Sequence, residues 1–199
     1  MTYFNIAFFL FVLYNKQVKI ILASASPRRK QLLAEVVKDF SVCVSNAEEV
    51  ADMSNPYEGV KVLSQIKADS VFQQNTDALV IGADTIVVFN GDVLGKPKDE
   101  GQAREMLTML SGNTHKVITG VTIMSKERTI TFAEESLVTF KKLDVQEIDE
   151  YIKTGSPFDK AGAYGIQDSG FVSNIIGSYK NVMGLPVERL AEILQIYGG

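Results

Sequence analysis

The stretch "KIILASASPRRKQLL", residues 19–33, decides how the chain is read. It opens on an apolar, β-type run. Ser26 is a favourable helix N-cap, Pro27 suits the first helical position, and Leu32 and Leu33 begin an apolar stripe. A strand passing directly into a helix, Pro27 to about Val37, is therefore expected. Charge is the anomaly. Arg28, Arg29 and Lys30 crowd a helix start, where free N–H groups and the dipole already supply partial positive charge. Such self-repulsion calls for an anion at this spot, a phosphate or a carboxylate.

Outward from this stretch, helical and strand patterns alternate. "FSVCVS" reads as a strand with Cys43 buried in it. "NPYEGVKVLSQIKADSVFQQ" has Val60, Leu63, Ile66 and Val71 at roughly helical spacing, behind an Asn55 cap and Pro56. "DALVIGADTIVVFNGDVLGKP" is a strand running into a hairpin at Asn90-Gly91. "DEGQAREMLTML" is a helix closed by Ser111-Gly112. "HKVITGVTIM" and "TITFAEESLVTF" are strands. "DVQEIDEYIKTG" is a helix capped by Asp144, with Glu147 three residues on and Gly155 after its end. "GFVSNIIGSY" is a strand and "PVERLAEILQIY" a closing helix. Helices falling between strands predict an α/β fold, a mixed sheet with flanking helices.

The 199 residues suit one domain, and a net charge of −4 argues against a broad nucleic-acid binder. With a single cysteine, Cys43, no internal disulfide forms. A single histidine, His115, excludes a multi-histidine metal site. "SGNTHKV" reads as a helix end turning into a strand, which makes His115 structural. Ser24 and Ser26 have no neighbour in sequence to activate them. There is no P-loop and no GxGxxG after a strand. Candidate chemistry lies elsewhere. Asp84 stands between two apolar runs, where a carboxylate seldom lacks a partner or a metal. Lys96, between Gly95 and Pro97, sits on a stiff turn.

Five stretches occur in order: "LASASPRRKQLL", "SNAEEV", "LVIGADTIVVFNGDVLGKP", "MLSGNTHKVITGV" and "GSPFDKAGAYGIQ…GSYKNVMGLP". Together they resemble the Maf family of nucleoside triphosphate pyrophosphatases, sometimes called septum-formation inhibitors. The resemblance covers Lys19 to about Ile196. Gln31, where members often have Glu, and Asp168, where Gly is frequent, depart from the pattern. The division expected is a hydrophobic extension over residues 1–18 and a Maf-like domain over 19–199.

The resemblance implies a fold similar to that of the inosine-triphosphate pyrophosphatases: a bent mixed sheet and two lobes around a cleft. It implies metal-dependent cleavage, with Mg²⁺ or Mn²⁺, between the α and β phosphates, giving a nucleoside monophosphate and pyrophosphate. Carried over by motif, Asp84 is the proton acceptor, and Asp84 and Glu49 are the carboxylates on the metal side. Ser26, Arg28, Lys67 and Lys96 hold the phosphates. Arg28, Thr85 and Gln167 bear on specificity. GADT paired with AGAYGIQ resembles the subgroup acting on dTTP and UTP rather than the one handling 7-methyl-GTP. Gln167 suits that choice, because an amide offers a donor and an acceptor to the O4/N3–H edge of uracil or thymine. Cytosine reverses that edge. An amide can flip, so neighbouring backbone groups or Thr85 must fix its orientation.

A non-catalytic nucleotide sensor or division-linked interaction module is the alternative. It would need the cations but not Asp84, and the presence of Asp84 with Glu49 favours the enzyme. The expected partner is a nucleoside triphosphate, with no nucleic acid and no stable membrane insertion. A homodimer is compatible with this reading, and the expected location is the cytoplasm. The apolar run Ile6–Tyr14 is too short for a bilayer, which needs about 20 residues. "ASA" at residues 23–25 mimics a signal cleavage site, yet no positive charge precedes the run, and cleavage there would destroy the SPRR element. A surface add-on or an upstream start codon is the expected reading.

Overall fold

The structure, a computed structural model, describes residues 18–198. The leader over residues 1–17 lies outside the described residues. Val18, counted with that leader, packs against the first core.

The strand-to-helix passage forms as expected. Strand β1, Ile20–Ala23, leads to helix α1, Pro27–Leu33, with Ser26 Oγ accepting from the Arg29 N–H at 3.4 Å. The helix ends at Leu33 rather than near Val37, because Ala34 caps it and tight turns follow. The expected "FSVCVS" strand shrinks to β2, Ser41–Val42, a short, exposed margin of the sheet. Cys43 is accordingly half-buried rather than buried, against the core beneath β1.

Helix α2, Pro56–Phe72, starts at Asn55, whose side chain accepts from the N–H groups of Tyr57 and Glu58. Strand β3, Leu79–Phe89, runs straight through Asp84 and turns at Asn90-Gly91 into β4, Asp92–Leu94. Helix α3, Glu100–Leu110, precedes the long strands β5, Thr114–Met124, and β6, Thr129–Phe140. Helix α4, Val145–Lys153, carries the Asp144/Glu147 capping box. Two 3₁₀ turns, Ser156–Asp159 and Ala161–Ala163, then lead to β7, Val172–Ile176. The short helix α5, Tyr179–Met183, was not signalled in the sequence. Helix α6, Val187–Gly198, closes the fold.

The seven-stranded sheet has the order β2-β1-β3-β5-β6-β7, with β4 beside β3. The pairs β1/β2 and β1/β3 are parallel and the others antiparallel, so the sheet is mixed. Alternation along β3 sorts its side chains between cores. Leu79, Ile81 and Ala83 join Leu32, Leu33, Leu190 and Leu194 on one face. Val87, further along the same face, joins a second core with Leu107, Phe140, Ile152 and Tyr164. On the opposite face Val80, and beyond it Ile86 and Val88, pack against α2. Helix α2 lies very close to the sheet. A Cβ on Gly82 would fall 2.4 Å from the Ser64 carbonyl oxygen, and one on Gly120 would fall 2.3 Å from that of Val60.

The feature that makes a site is a gap in pairing. Strand β1 covers the outer edge of β3 only as far as Gly82, and β4 takes up that edge from Val87. Among the described residues, no strand pairs with this edge over residues 83–86. Asp84 points to the α2 face and Thr85 to the face between the two cores, so one cleft wraps the open edge and reaches both.

Candidate active site

The cleft has a volume of about 610 Å³. It is walled by the β1–α1 turn, the loop before α2, the open edge of β3, the turn after β4, the 3₁₀ segment and the end of α5. All eight residues singled out in the sequence line it: Ser26, Arg28, Glu49, Lys67, Asp84, Thr85, Lys96 and Gln167.

Its centre is a carboxylate pair held by one cation. Lys67 Nζ, from α2, stands 2.5 Å from Asp84 Oδ1 and 2.9 Å from Glu49 Oε2. The side chains of Lys67 and Asp84 are only 11% and 14% exposed, so each needs the other's charge. Glu49, 45% exposed, faces the opening. Lys67 is thus engaged by carboxylates, and its ammonium reaches a phosphate only when those carboxylates are otherwise compensated.

The two arginines of SPRR behave differently. Arg28 reaches across the cleft to Asp159 Oδ2 at 3.3 Å. Arg29 turns inward and donates to the Gly184 carbonyl at 2.9 Å, Thr85 Oγ1 at 3.0 Å and Ser24 Oγ at 3.2 Å. Burial pulls its guanidinium below the ordinary pKa, partly opposed by the charge of Asp84. Thr85 also meets Thr119 Oγ1 at 3.0 Å, so its hydroxyl is fixed from two sides. The self-repelling cluster is therefore resolved in part within the fold, by Asp159 for Arg28 and by neutral acceptors for Arg29.

Lys96 is exposed and makes no ion pair with any described residue, which leaves its ammonium free at the rim. Its turn is tied to the opposite wall, where the Gly162 N–H donates to the Gly95 carbonyl at 3.0 Å. Gln167 is exposed, and its amide makes no hydrogen bond with the described residues. Ser24 is buried, and its hydroxyl already accepts from the Ser26 N–H and from Arg29. His115 lies outside the cleft. Its Nε2 is 2.8 Å from the Tyr164 hydroxyl, and burial pushes its pKa down to about 4.

Sequence reasoning passed over Lys160. This wall residue is buried, with Nζ 2.7 Å from Asp159 Oδ1, 2.6 Å from the Ser156 carbonyl and 2.8 Å from Ser156 Oγ. It also left Arg29 without a role. No local signal separates the inward arginine from the outward one, since only the placement of Gly184 and Thr85 does so.

Among the described residues, no group of three or more His, Cys, Asp or Glu side chains is placed to hold a metal. Asp84 and Glu49 nonetheless converge on a single cation, and both are hard oxygen donors. That set fits Mg²⁺ or Mn²⁺, which are commonly held by one or two carboxylates with water and substrate phosphate completing the shell.

A family model described as Maf-like protein matches residues 19–197. The chain belongs to the Maf family. A relative from Bacillus cereus named dTTP/UTP pyrophosphatase is 51% identical over 180 residues, covering 89% of this chain and 94% of the relative. One of the same name from Bacillus cytotoxicus shows the same identity and coverage. The Maf chain is also similar to the solved structure of the Staphylococcus aureus Ham1 protein. The TM-score is 0.55, over 90% of this chain and 99% of that one. At 13% identity this likeness is one of fold, and it agrees with the mixed sheet and cleft expected from the sequence. No helix among the described residues is long and apolar enough to cross a membrane.

Proposed function

We propose that this protein hydrolyses dTTP and UTP between the α and β phosphates, releasing the nucleoside monophosphate and pyrophosphate. The observation that carries the proposal is the Asp84/Glu49 pair bridged by Lys67, in the same cleft as the outward Arg28 and the exposed Lys96. The half-identical relatives named dTTP/UTP pyrophosphatase support the substrate class.

Each residue has a role that follows from its chemistry. Asp84, on the open edge of β3, accepts the proton of the attacking water. Glu49 and Asp84 would hold a divalent cation, which when bound lowers the pKa of a coordinated water and offsets phosphate charge. Arg28 and Lys96 bind the phosphate chain, and Ser26 adds its hydroxyl at the same wall. Negative charge grows on the departing pyrophosphate, so these cations stabilise the transition state more than the ground state. Arg28 exchanges Asp159 for phosphate on binding. Gln167 offers its exposed amide to the O4/N3–H edge of the base, with Thr85, held by Arg29, in the same cleft. A site that hydrogen-bonds its substrate rejects misfits more sharply than an apolar one.

A pyrophosphate-release screen over UTP, dTTP, CTP, GTP and 7-methyl-GTP, with Mg²⁺ and with Mn²⁺, tests this reading. UTP and dTTP should lead. A preference for 7-methyl-GTP, or release of inorganic phosphate alone, would overturn it.

A further inference from the structure

The turn that carries Gln167 is held by side chains behind the cleft wall. The Gly165 N–H donates to the Tyr151 hydroxyl at 2.9 Å, and that hydroxyl donates to Asp168 Oδ1 at 2.9 Å. One buried phenol therefore fastens the chain on both sides of Gln167. Asp168 Oδ2 accepts from Ser156 Oγ at 2.5 Å. The buried ammonium of Lys160 donates to Ser156 Oγ at 2.8 Å and stands 3.7 Å from Asp168 Oδ2. The N–H groups of Asp168 and Ser169 turn back to the Gly165 carbonyl at 3.4 and 3.1 Å. A Cβ on Gly165 would lie 2.4 Å from Asp168 Oδ1, so the carboxylate fills the space that any side chain there would need. Burial pushes the Tyr151 phenol up to about 12, which keeps it protonated and able to donate.

The turn belongs to no helix or strand, and the Gln167 amide makes no hydrogen bond with the described residues. The backbone therefore decides where this side chain starts and which part of the cleft its amide can reach, and the clamp holds that backbone. An amide tells uracil from cytosine only while it is held in one place. A loose turn would let it meet either edge.

We propose that Asp168, acting through Tyr151 and Ser156, is a positioning residue that fixes the Gly165–Ser169 turn and so governs pyrimidine choice. The proposal rests on the reading of Gln167 as the base-facing group, and the test separates the two. The kcat/KM ratio of UTP to CTP is measured for wild type, Asp168→Ala, Asp168→Asn, Tyr151→Phe, Ser156→Ala, the Asp168→Ala/Tyr151→Phe double variant and Gln167→Ala. The ratio should fall about tenfold in Asp168→Ala and in Tyr151→Phe, with the loss in KM for UTP exceeding that in kcat. The double variant should fall no further than the larger single, because both cut one clamp. Asp168→Asn, which keeps an acceptor, should recover part of the loss. If Gln167→Ala lowers the ratio while folded Asp168→Ala and Ser156→Ala leave it unchanged, the clamp is wrong and the base reading stands. If Gln167→Ala itself leaves the ratio unchanged, both fall. Should Tyr151→Phe fail to fold, half-buried Ser156 and exposed Asp168 decide alone.

Discussion

Two adjacent arginines should respond to the same substitution in opposite ways. Arg28→Met removes an ion pair whose side chains are 24% and 60% exposed, a setting in which such pairs contribute about 0–1 kcal/mol. Arg29→Met removes donors to the Gly184 carbonyl, Thr85 and Ser24. At about 1 kcal/mol net for each hydrogen bond, and with partial relief from no longer burying a cation, the loss should be roughly 2–3 kcal/mol. For a chain of this size that is a fall in Tm of about 5–10 °C. Activity should rank the other way relative to stability. Arg28→Met should lower kcat/KM for UTP by about 1.5–3 kcal/mol, roughly 10- to 150-fold, while barely moving Tm. Thermal unfolding and steady-state kinetics on the two variants provide the assay. A destabilised Arg28→Met, or one with full kcat/KM, would refute the division of labour, as would an Arg29→Met as stable as wild type.

Three further outcomes follow from the same geometry. His115 is neutral in the fold, with its pKa lowered to about 4, so the unfolded chain binds the proton first. Its contribution is complete above about pH 6.5 and is lost as pH falls towards 4, amounting to about 3 kcal/mol. Urea titrations should show that slope, and His115→Phe should flatten it. Gly82→Ala should push α2 off the sheet, costing about 1–3 kcal/mol by urea titration and lowering kcat because Lys67 rides on that helix. Lys67→Met leaves two carboxylates facing each other with no cation between them. Breaking a pair this buried costs up to about 3–5 kcal/mol, and denaturation should show a loss near the lower figure because Glu49 opens to solvent.

What the sequence disclosed was what local chemistry encodes. The Asn55-Pro56 start, the Asn90-Gly91 turn and the Asp144/Glu147 box each satisfy backbone groups within a few residues, and each appears where expected. "FSVCVS" misled because alternating valines promise a strand only if a neighbour pairs with them, and at the sheet margin little does. The carboxylates and cations that meet in the cleft were legible through their motifs. The gap over residues 83–86 was not, since it depends on where β1 stops and β4 begins along a third strand. Lys160 and the Tyr151–Asp168 clamp were hidden for a similar reason. Their partners meet only after α4 and two 3₁₀ turns fold back on each other.

The central claim is that Asp84 drives hydrolysis of UTP and dTTP at the bond between the α and β phosphates. Following the reaction by phosphorus NMR, with Mg²⁺, for wild type and Asp84→Asn tests it most directly. Wild type should yield monophosphate and pyrophosphate in equal amounts, and folded Asp84→Asn should be slower by at least about 10²–10⁴-fold. Formation of diphosphate and inorganic phosphate, or an Asp84→Asn variant retaining more than about half the rate, would contradict the account.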